Sequence, residues 1–287
     1  MQAIVFYFSL PFIYLLSIMP FRILYGMSDI TYFIAYYIIR YRRKIVFENL
    51  RNAFPEKSDK ELEKISKSFY SYLCDLIVET IKNLTISKKA SLARCKIKDV
   101  DVFEKLYSQN KNIILVIGHF GNWEWAGYSL SLSIKHQSVV IYKPLSNKYF
   151  NQFIYKIRTR LGAKLIPMND TFREMVNNKD NLNVTTFIAD QTPPPDGAYW
   201  TNFLNQDTPI FQGTEKIAKK LNYPVIFMSV NRLNRGYYEV SAEMLCENPA
   251  NTSDGEISEL HTRMLEKEIR KNPQFWLWSH RRWKHKR

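Results

Sequence analysis

The sequence predicts an α/β fold in which a mixed sheet is flanked by helices and follows an apolar amino-terminal segment. Two observations lead to this prediction. From about residue 112 onward, short aliphatic runs typical of buried strands alternate with amphipathic, helix-like segments. The first 21 residues, in contrast, contain no charged side chain. We therefore divide the chain into an amino-terminal segment, 1–44, and an α/β domain, 45–287.

The uncharged amino-terminal run is about long enough to cross a bilayer, which takes ~20 apolar residues. No Lys or Arg precedes it and no small-residue cleavage site follows it, so a cleaved signal peptide is not expected. A second apolar stretch, 30–39, is too short to span alone and is typical of an interfacial or re-entrant helix. It ends in Arg40, Arg42, Arg43 and Lys44, which would hold the following domain on the cytoplasmic side. We therefore predict a membrane-anchoring helix, with a hydrophobic helix packed inside a soluble domain as the alternative.

A capping box, Ser58 to Glu61, marks the start of an amphipathic helix. Its apolar residues follow at helical spacing: Leu62, Ile65, Phe69, Leu73, Leu76, Ile77 and Ile81. Further along, strands are predicted near 112–117, 137–142, 163–166, 183–188 and 224–230. Helices are predicted near 123–133, 147–160, 170–177 and 213–221. A Tyr- and Val-rich stretch, 236–246, predicts a late strand that could run antiparallel, and 254–271 predicts another helix.

The stretch 191–213 interrupts this alternation. It is long, rich in proline and carries apolar aromatic residues. Loops of this length are usually functional or disordered, and the aromatic content argues against disorder. We therefore expect a loop that could line a substrate groove.

The chain is strongly basic, with a net charge of +14. This charge suits an anionic partner such as a membrane surface, an acidic protein or a nucleic acid. The cysteines, Cys74, Cys95 and Cys246, are far apart and odd in number. They match neither a metal site nor a disulfide framework, so we expect reduced thiols in a cytosolic setting.

The most informative stretch is 113–125, IILVIGHFGNWEW. Its aliphatic start predicts a buried strand, and Asn122 is a plausible N-cap for the helix-like pattern that follows. On one continuous helix His119 and Glu124 would lie roughly 140° apart, so they can meet only if His119 sits in the strand-to-helix turn. A carboxylate beside the imidazole would keep one ring nitrogen protonated and leave the other as a general base. The alternative is a structural His–Glu pair within an aromatic core.

The segment GHFGNWE resembles the signature of the lipid A late acyltransferases, a branch of the lysophospholipid acyltransferase superfamily. Further stretches that are similar to this family follow in the expected order: 43–55, 142–147, 158–162, 187–191, 211–214 and 273–284. Each stretch alone is weak evidence. Together they cover most of the chain after the apolar amino terminus, and their order makes the resemblance specific.

The resemblance implies a glycerolipid acyltransferase-like fold and transfer of a fatty acyl group from acyl carrier protein to a hydroxyl on a lipid A precursor. His119 would take the proton from the acceptor hydroxyl as it attacks the thioester, and Glu124 would orient His119 and stabilise the imidazolium. The transfer would be direct, without a covalent enzyme intermediate. Neither a metal nor a cofactor is expected, and coenzyme A stays open as an alternative donor.

Five further residues are candidates for substrate binding or for support of the site. Asn122 could stabilise an oxyanion, although a capping role fits it equally well. Arg158 or Arg160 would bind phosphate, with a solvated helix face as the alternative for both. The resemblance also points to Asp190, with Gln191 beside it, as a second acidic site residue at a sheet edge.

The carboxy terminus mixes aromatic and basic side chains: Trp276, Trp278, Arg281, Arg282, Trp283, Lys284, Lys286 and Arg287. Such a mixture can bind nucleic acid or the headgroup layer of a membrane. Because the chain also has an apolar amino terminus, we favour the membrane and expect no nucleic-acid partner. We expect a protein of the bacterial inner membrane with its catalytic domain on the cytoplasmic side.

Two rival functions stay open at this point. A glycerophospholipid acyltransferase of the same superfamily typically has Asp in place of the motif Glu and a Phe-Pro-Glu-Gly-Thr-Arg block. Residues 211–216, FQGTEK, match that block only in part. A non-enzymatic basic protein that binds membranes or nucleic acid would leave His119, Glu124 and Asp190 without a role.

Overall fold

The computed structural model describes residues 2–285 and 287; Met1 and Lys286, the latter from the predicted carboxy-terminal basic cluster, lie outside the described residues. The strands in chain order are β1 (Cys95–Ile97), β2 (Ile113–Ile117), β3 (Gln137–Tyr142), β4 (Lys164–Pro167), β5 (Asn183–Ile188), β6 (Tyr199–Phe203), β7 (Gln206–Ile210), β8 (Val225–Asn234) and β9 (Tyr237–Cys246). Seven of them form one sheet in the order β1-β9-β8-β2-β5-β3-β4, and β6 pairs with β7 in a separate hairpin. Neighbours in the large sheet are parallel, except that β8 and β9 are antiparallel.

Helices cover both faces of the large sheet. In chain order they are α1 (Gln2–Ile18), α2 (Phe21–Phe33), α3 (Arg43–Ala53), α4 (Asp59–Lys82), α5 (Lys88–Arg94), α6 (Val100–Ser108), α7 (Trp123–Ser133), α8 (Lys148–Thr159), α9 (Thr171–Asn177), α10 (Gly213–Leu221) and α11 (Glu256–Lys271). A π-helical segment, Ile34–Ile38, continues α2.

The central strand β2 is buried on both faces. Successive side chains of a strand point to opposite faces, so Leu115 packs in one hydrophobic cluster with Trp125 of α7, whereas Val116 packs in another with Ala218 of α10. All five residues of β2 are nearly inaccessible to solvent. This two-sided burial explains the uninterrupted aliphatic run and fixes the register of the strand.

The parallel pairing of β2 with β5 determines what lies at the edge of the sheet. Ile117, the last residue of β2, is aligned with Ile188, the last residue of β5. The residues two positions beyond these ends, His119 and Asp190, therefore emerge side by side at the carboxyl edge. In open α/β sheets this edge is the usual position of a binding or catalytic site.

The predicted α/β fold with a mixed sheet is confirmed, and each predicted strand and helix lies within a few residues of its predicted bounds. The capping box forms as predicted, because the Ser58 hydroxyl accepts from the Glu61 N–H while the Glu61 carboxylate accepts from the Ser58 N–H. The late strand β9 is antiparallel to β8. Strand β1 and helices α3, α5 and α6 are additional to the predicted elements.

The prediction of a continuous loop over 191–213 is wrong, because this stretch contains the β6–β7 hairpin. The two turn residues, Leu204 and Asn205, both have positive φ, at 52° and 63°, as in a type I′ turn. Leu204 is fully buried, and the packing of its side chain offsets the cost of that conformation. The turn lacks the Asn-Gly or Asp-Gly pair that usually marks such a hairpin, so the sequence does not reveal it.

The amino-terminal segment packs against the domain. Helix α2 and the π-helical segment run alongside α4, where Leu24 and Tyr36 are buried. Helix α1 contacts α8, with Phe6 packed among the aromatic rings of Tyr149, Phe150 and Phe153. In the part of the chain that the structure describes, no helix combines the length and the apolar character needed to cross a bilayer. The predicted membrane-anchoring helix is therefore not confirmed.

A buried ionic cluster joins α2, α4 and the β8–β9 hairpin. The carboxylate of Asp75 is 1% exposed and accepts hydrogen bonds from Ser28, Arg232 and Arg235. Arg235 also pairs with Asp29, whose side chain is 58% exposed. Asp75 thus lies at the buried centre of the cluster, and Asp29 lies at its solvent-exposed edge.

We predict that Asp75→Asn lowers the free energy of unfolding by about 3–5 kcal/mol, because it leaves two arginines without their buried counter-charge. The matched change Asp29→Asn should cost less than about 1 kcal/mol, since solvent screens that pair. Urea denaturation of both variants tests the difference. Equal losses for the two variants would contradict the claim that burial makes the pairs of Asp75 stronger than the exposed pair of Asp29.

Candidate active site

His119 and Asp190 form a hydrogen-bonded dyad at the carboxyl edge of the sheet. The Nδ1 atom of His119 lies 2.6 Å from Oδ1 of Asp190. The other carboxylate oxygen, Oδ2, accepts from the backbone N–H of His119 at 2.9 Å and from the indole N–H of Trp276 at 2.8 Å. Three hydrogen bonds thus hold the Asp190 side chain, which is 3% exposed. The imidazole is fixed with its Nε2 edge pointing away from the carboxylate.

The expectation that Glu124 orients His119 is corrected by this geometry. The carboxylate on the ring belongs to Asp190, and Glu124 instead forms a two-pronged ion pair with Arg158 of α8. The physical reason is the sheet register, which places Asp190 directly beside His119, while Glu124 lies in the first turn of α7 and faces α8. Arg158, one of the two arginine candidates, therefore lies at the candidate site, paired with Glu124.

The charge on Asp190 sets the protonation of His119. Burial alone lowers the pKa of His119, but the negative charge and the hydrogen bond of Asp190 outweigh burial and raise it above 6.5. Burial raises the pKa of Asp190, but its bonds to His119 and Trp276 lower it to about 2. Asp190 is thus ionised at neutral pH and accepts a hydrogen bond from Nδ1–H of the neutral imidazole. This leaves Nε2 unprotonated and able to act as a base.

An apolar pocket adjoins the dyad and is lined by both members of the Glu124–Arg158 pair. It has a volume of about 60 Å³, and its apolar lining comes from β2, β3, β5, β8 and α7: Ile117, Trp123, Gly127, Tyr128, Leu130, Val140, Ile141, Ile188 and Met228. The site therefore combines a base, a charged pair and an apolar cavity at one sheet edge.

Asn122 acts as a helix cap in this structure. Its side-chain oxygen accepts from the backbone N–H of Trp125 at 2.9 Å, and its amide group donates to Glu79 at 2.6 Å. The side chain is fully buried, so it is not free to bind an oxyanion. Gly121 precedes it at a φ of +62°, where a Cβ atom would come within 2.2 Å of a backbone oxygen of Val230.

Arg160 has a structural position. Its guanidinium donates to the backbone oxygens of Asn83 at 2.8 Å and of Ile86 at 2.5 Å, just beyond the end of α4. These carbonyls follow a helix end and need donors. The sequence leaves open which of the two arginines lies at the candidate site, and the geometry favours Arg158. Gln191 lies close to the base, with its amide nitrogen 3.3 Å from Nε2 of His119.

The comparisons with known proteins agree with the sequence motifs. The family described as bacterial lipid A biosynthesis acyltransferase matches residues 1–285. The chain belongs to this family. The lipid A biosynthesis palmitoleoyltransferase of Escherichia coli (strain K12) is 21% identical to it over 283 residues, which cover 97% of this chain and 90% of that protein. The lipid A biosynthesis acyltransferase of Shigella flexneri is similar to the same extent over the same coverage.

This member of the lipid A biosynthesis acyltransferase family is an acyltransferase, and the resemblance inferred from its motifs is confirmed. In the described residues, no group of three or more His, Cys, Asp or Glu side chains is arranged to hold a metal ion.

Two residues with no predicted role at the site contact the candidate site residues. The expectation that Trp276 and Trp278 lie at a membrane surface is wrong, because both are buried, and Trp276 instead donates to Asp190. Glu79 of α4 is fully buried and accepts from Tyr25, Asn122 and Tyr238. Burial raises the pKa of Glu79 to about 6. A carboxylate among the apolar residues of α4, three positions after Leu76, is the signal that could have identified it.

We predict an acid limb in the pH profile of acyl transfer, since His119 must be neutral to act as a base. Activity should fall as the pH drops through the raised pKa of His119, that is, from above 6.5. In Asp190→Asn the limb should move to lower pH, because burial then acts on the imidazole without an opposing charge. The plateau rate should also fall by roughly 10³–10⁴-fold, as when a base loses its orienting carboxylate. A limb at an unchanged pH in this variant would contradict the assignment of Asp190.

Proposed function

We propose that this acyltransferase moves a fatty acyl group from acyl carrier protein to a hydroxyl of a lipid A precursor, at the cytoplasmic face of a bacterial inner membrane. The observation that carries the proposal is the His119–Asp190 dyad beside an apolar pocket. It occurs in a chain of this family, with relatives whose names refer to lipid A biosynthesis.

His119 would act through its unprotonated Nε2 atom, and the acceptor hydroxyl would take the place of the Gln191 amide that lies 3.3 Å from it. As the acceptor oxygen attacks the thioester carbonyl, its proton passes to Nε2 and a tetrahedral intermediate forms. Collapse of that intermediate breaks the carbon–sulfur bond, and the departing thiolate takes the proton back from the imidazolium. The acyl group ends on the acceptor oxygen and the free thiol on the carrier. Asp190 stays ionised throughout and stabilises the imidazolium.

The Glu124–Arg158 pair would stabilise the charge that develops on the thioester oxygen. Glu124 engages Nε and Nη2 of Arg158, so the remaining Nη1 group is available to a substrate, and the side chain is 33% exposed. A guanidinium held in a fixed orientation beside the pocket is a pre-organised donor for an oxyanion. The function of Glu124 in this proposal is to hold Arg158 in place.

Charge and exposed apolar surface support the proposed location and partners. The net charge of +14 suits both an acidic carrier protein and a phosphorylated lipid. Large apolar side chains of the amino-terminal segment are exposed, among them Ile4, Phe8, Phe12, Ile38 and Ile39. Exposed apolar surface of this extent is typical of a membrane contact.

The basic cluster of the amino-terminal segment adjoins that apolar surface. Arg40, Arg43 and Lys44, together with Lys60 of α4, line an open groove of about 560 Å³, to which Asp59 and Glu63 also contribute, so that its lining is basic on balance. The groove would face anionic headgroups while the apolar side chains enter the layer beneath them.

The proposed function is tested by offering the purified enzyme two acceptors with two donors. We predict acylation of a lipid A precursor with acyl carrier protein thioesters, and a fall of about 10²–10⁴-fold in His119→Ala. His136→Gln, a change at a histidine that binds the backbone oxygen of Lys111, should keep wild-type turnover. Acylation of lysophosphatidic acid, with none of the saccharolipid, would favour the glycerophospholipid rival. A preference for coenzyme A thioesters would refute the proposed donor.

The Glu124–Arg158 pair should behave as a unit in a double-mutant cycle. Glu124→Gln and Arg158→Gln should each reduce kcat, and the double variant should be no slower than the slower single variant. The reason is that loss of either partner removes the same positioned donor. Initial rates at saturating donor measure this. Multiplicative losses would mean that the two side chains act independently.

A further inference from the structure

Arg282 is a charged side chain buried close to the proposed catalytic dyad, and the mechanism so far gives it no role. It is 1% exposed, and its Nη2 group donates to the backbone oxygen of Pro209 at 2.7 Å. Its Nε and Nη1 groups have no hydrogen-bond partner among the described residues. Within those residues it also makes no ion pair closer than 4 Å. Buried arginines are normally paired, and leaving their donors unsatisfied is costly.

The unpartnered groups share a small cavity with Asp190. The cavity has a volume of about 10 Å³ and is lined by Asp190, His261, Thr262 and Arg282 together with apolar side chains. Nε2 of His261 is also buried without a partner in the described part of the chain. This volume corresponds to about one water molecule, which needs two to four polar partners. Donors from Arg282, the ring of His261 and the carboxylate of Asp190 would provide them.

Among the ionisable groups around Asp190 on the side away from His119, Arg282 is the one that stays positively charged. Burial lowers the pKa of His261 to about 4, so this ring is neutral. Burial also lowers the pKa of His280, which lies in the same carboxy-terminal segment. Burial lowers the pKa of Arg282 to about 10, a change that the charge of Asp190 opposes, so the guanidinium stays protonated. Glu124 and Arg158 lie on the other side of His119, and their opposite charges largely cancel because they form an ion pair.

We propose that Arg282 is a positioning residue which, through one water molecule held with His261 in this cavity, fixes the carboxylate of Asp190 behind His119. The inference rests on the proposed role of His119 as general base. The negative charge of Asp190 then interacts with both the imidazole of His119 and the guanidinium of Arg282. It stays ionised in its buried position, while the imidazolium of His119 is stabilised less than it would be by an unshared carboxylate. His119 is thus available as a free base at lower pH.

The test is the pH dependence of kcat/KM for Arg282→Met and Arg282→Lys. In Arg282→Met the acid limb should move to higher pH by roughly one unit, a tenfold change in the proton affinity of His119. The reason is that, without the guanidinium, the charge of Asp190 stabilises the imidazolium more strongly. Arg282→Lys keeps the charge and should keep the limb. Arg281→Met removes the neighbouring, exposed arginine and should leave the profile unchanged.

A loss of folded enzyme that is independent of pH lowers the plateau and leaves the limb in place. Acid unfolding of a destabilised variant would move the limb, so circular dichroism over the same pH range must show that each variant stays folded through the limb. Arg282→Gln, which retains hydrogen-bonding groups, provides a second neutral variant and should move the limb in the same direction. An unmoved limb in both neutral variants, or an equal shift in Arg282→Lys, would overturn the role of Arg282. An acid limb that even Asp190→Asn leaves in place would instead contradict the assignment of Asp190 as the carboxylate behind the base, on which this inference rests.

Discussion

The parallel alignment of two central strands is the constraint on which the site depends. Because Ile117 and Ile188 end β2 and β5 at the same level, His119 and Asp190 leave the sheet next to each other. A slip of one residue in either strand would turn its buried side chains to the wrong face, so core packing and the geometry of the base are fixed together. The catalytic chemistry thus relies on the same burial that stabilises the sheet.

A second constraint links the amino-terminal helices to this edge. Glu79 accepts hydrogen bonds from Tyr25 of α2 and from Asn122, the cap of α7. Its backbone oxygen accepts from the indole of Trp125. The helix that carries Glu124 is therefore held by the same side chain that binds α2. One set of hydrogen bonds therefore connects α2 with the helix that carries Glu124 at the candidate site.

Much of the fold could be predicted from the sequence, because it rests on local patterns. The aliphatic run of β2, the capping box at Ser58 and the cap at Asn122 each determine structure within a few residues. The β6–β7 hairpin could not be predicted, because its turn depends on burial of Leu204 rather than on a local turn motif. The end of α1 at Ile18, ahead of Pro20, divides an apolar run that is continuous by composition, and the proline is the local signal of that break.

The sequence predicted which candidate residues lie at this edge better than it predicted which of them form hydrogen bonds with each other. His119, Glu124, Arg158 and Asp190 were all candidates, and the structure brings them together at one edge. The motif spacing suggested Glu124 as the partner of His119, since it is the nearer carboxylate in sequence. The true partner lies 71 residues away and is set by strand register, which one sequence does not encode locally. Contacts of Arg160 and Arg282 with backbone oxygens depend in the same way on tertiary packing.

The most direct test of the account is ¹⁵N NMR of the enzyme labelled at histidine, with the signal of His119 assigned by comparison with His119→Ala. The account predicts that neutral His119 carries its proton on Nδ1 and that the imidazole titrates above 6.5. In Asp190→Asn the titration should move to lower pH. A neutral ring protonated on Nε2, or a titration at or below 6.5 in the wild-type enzyme, would contradict the claim that an ionised Asp190 holds His119 as the base.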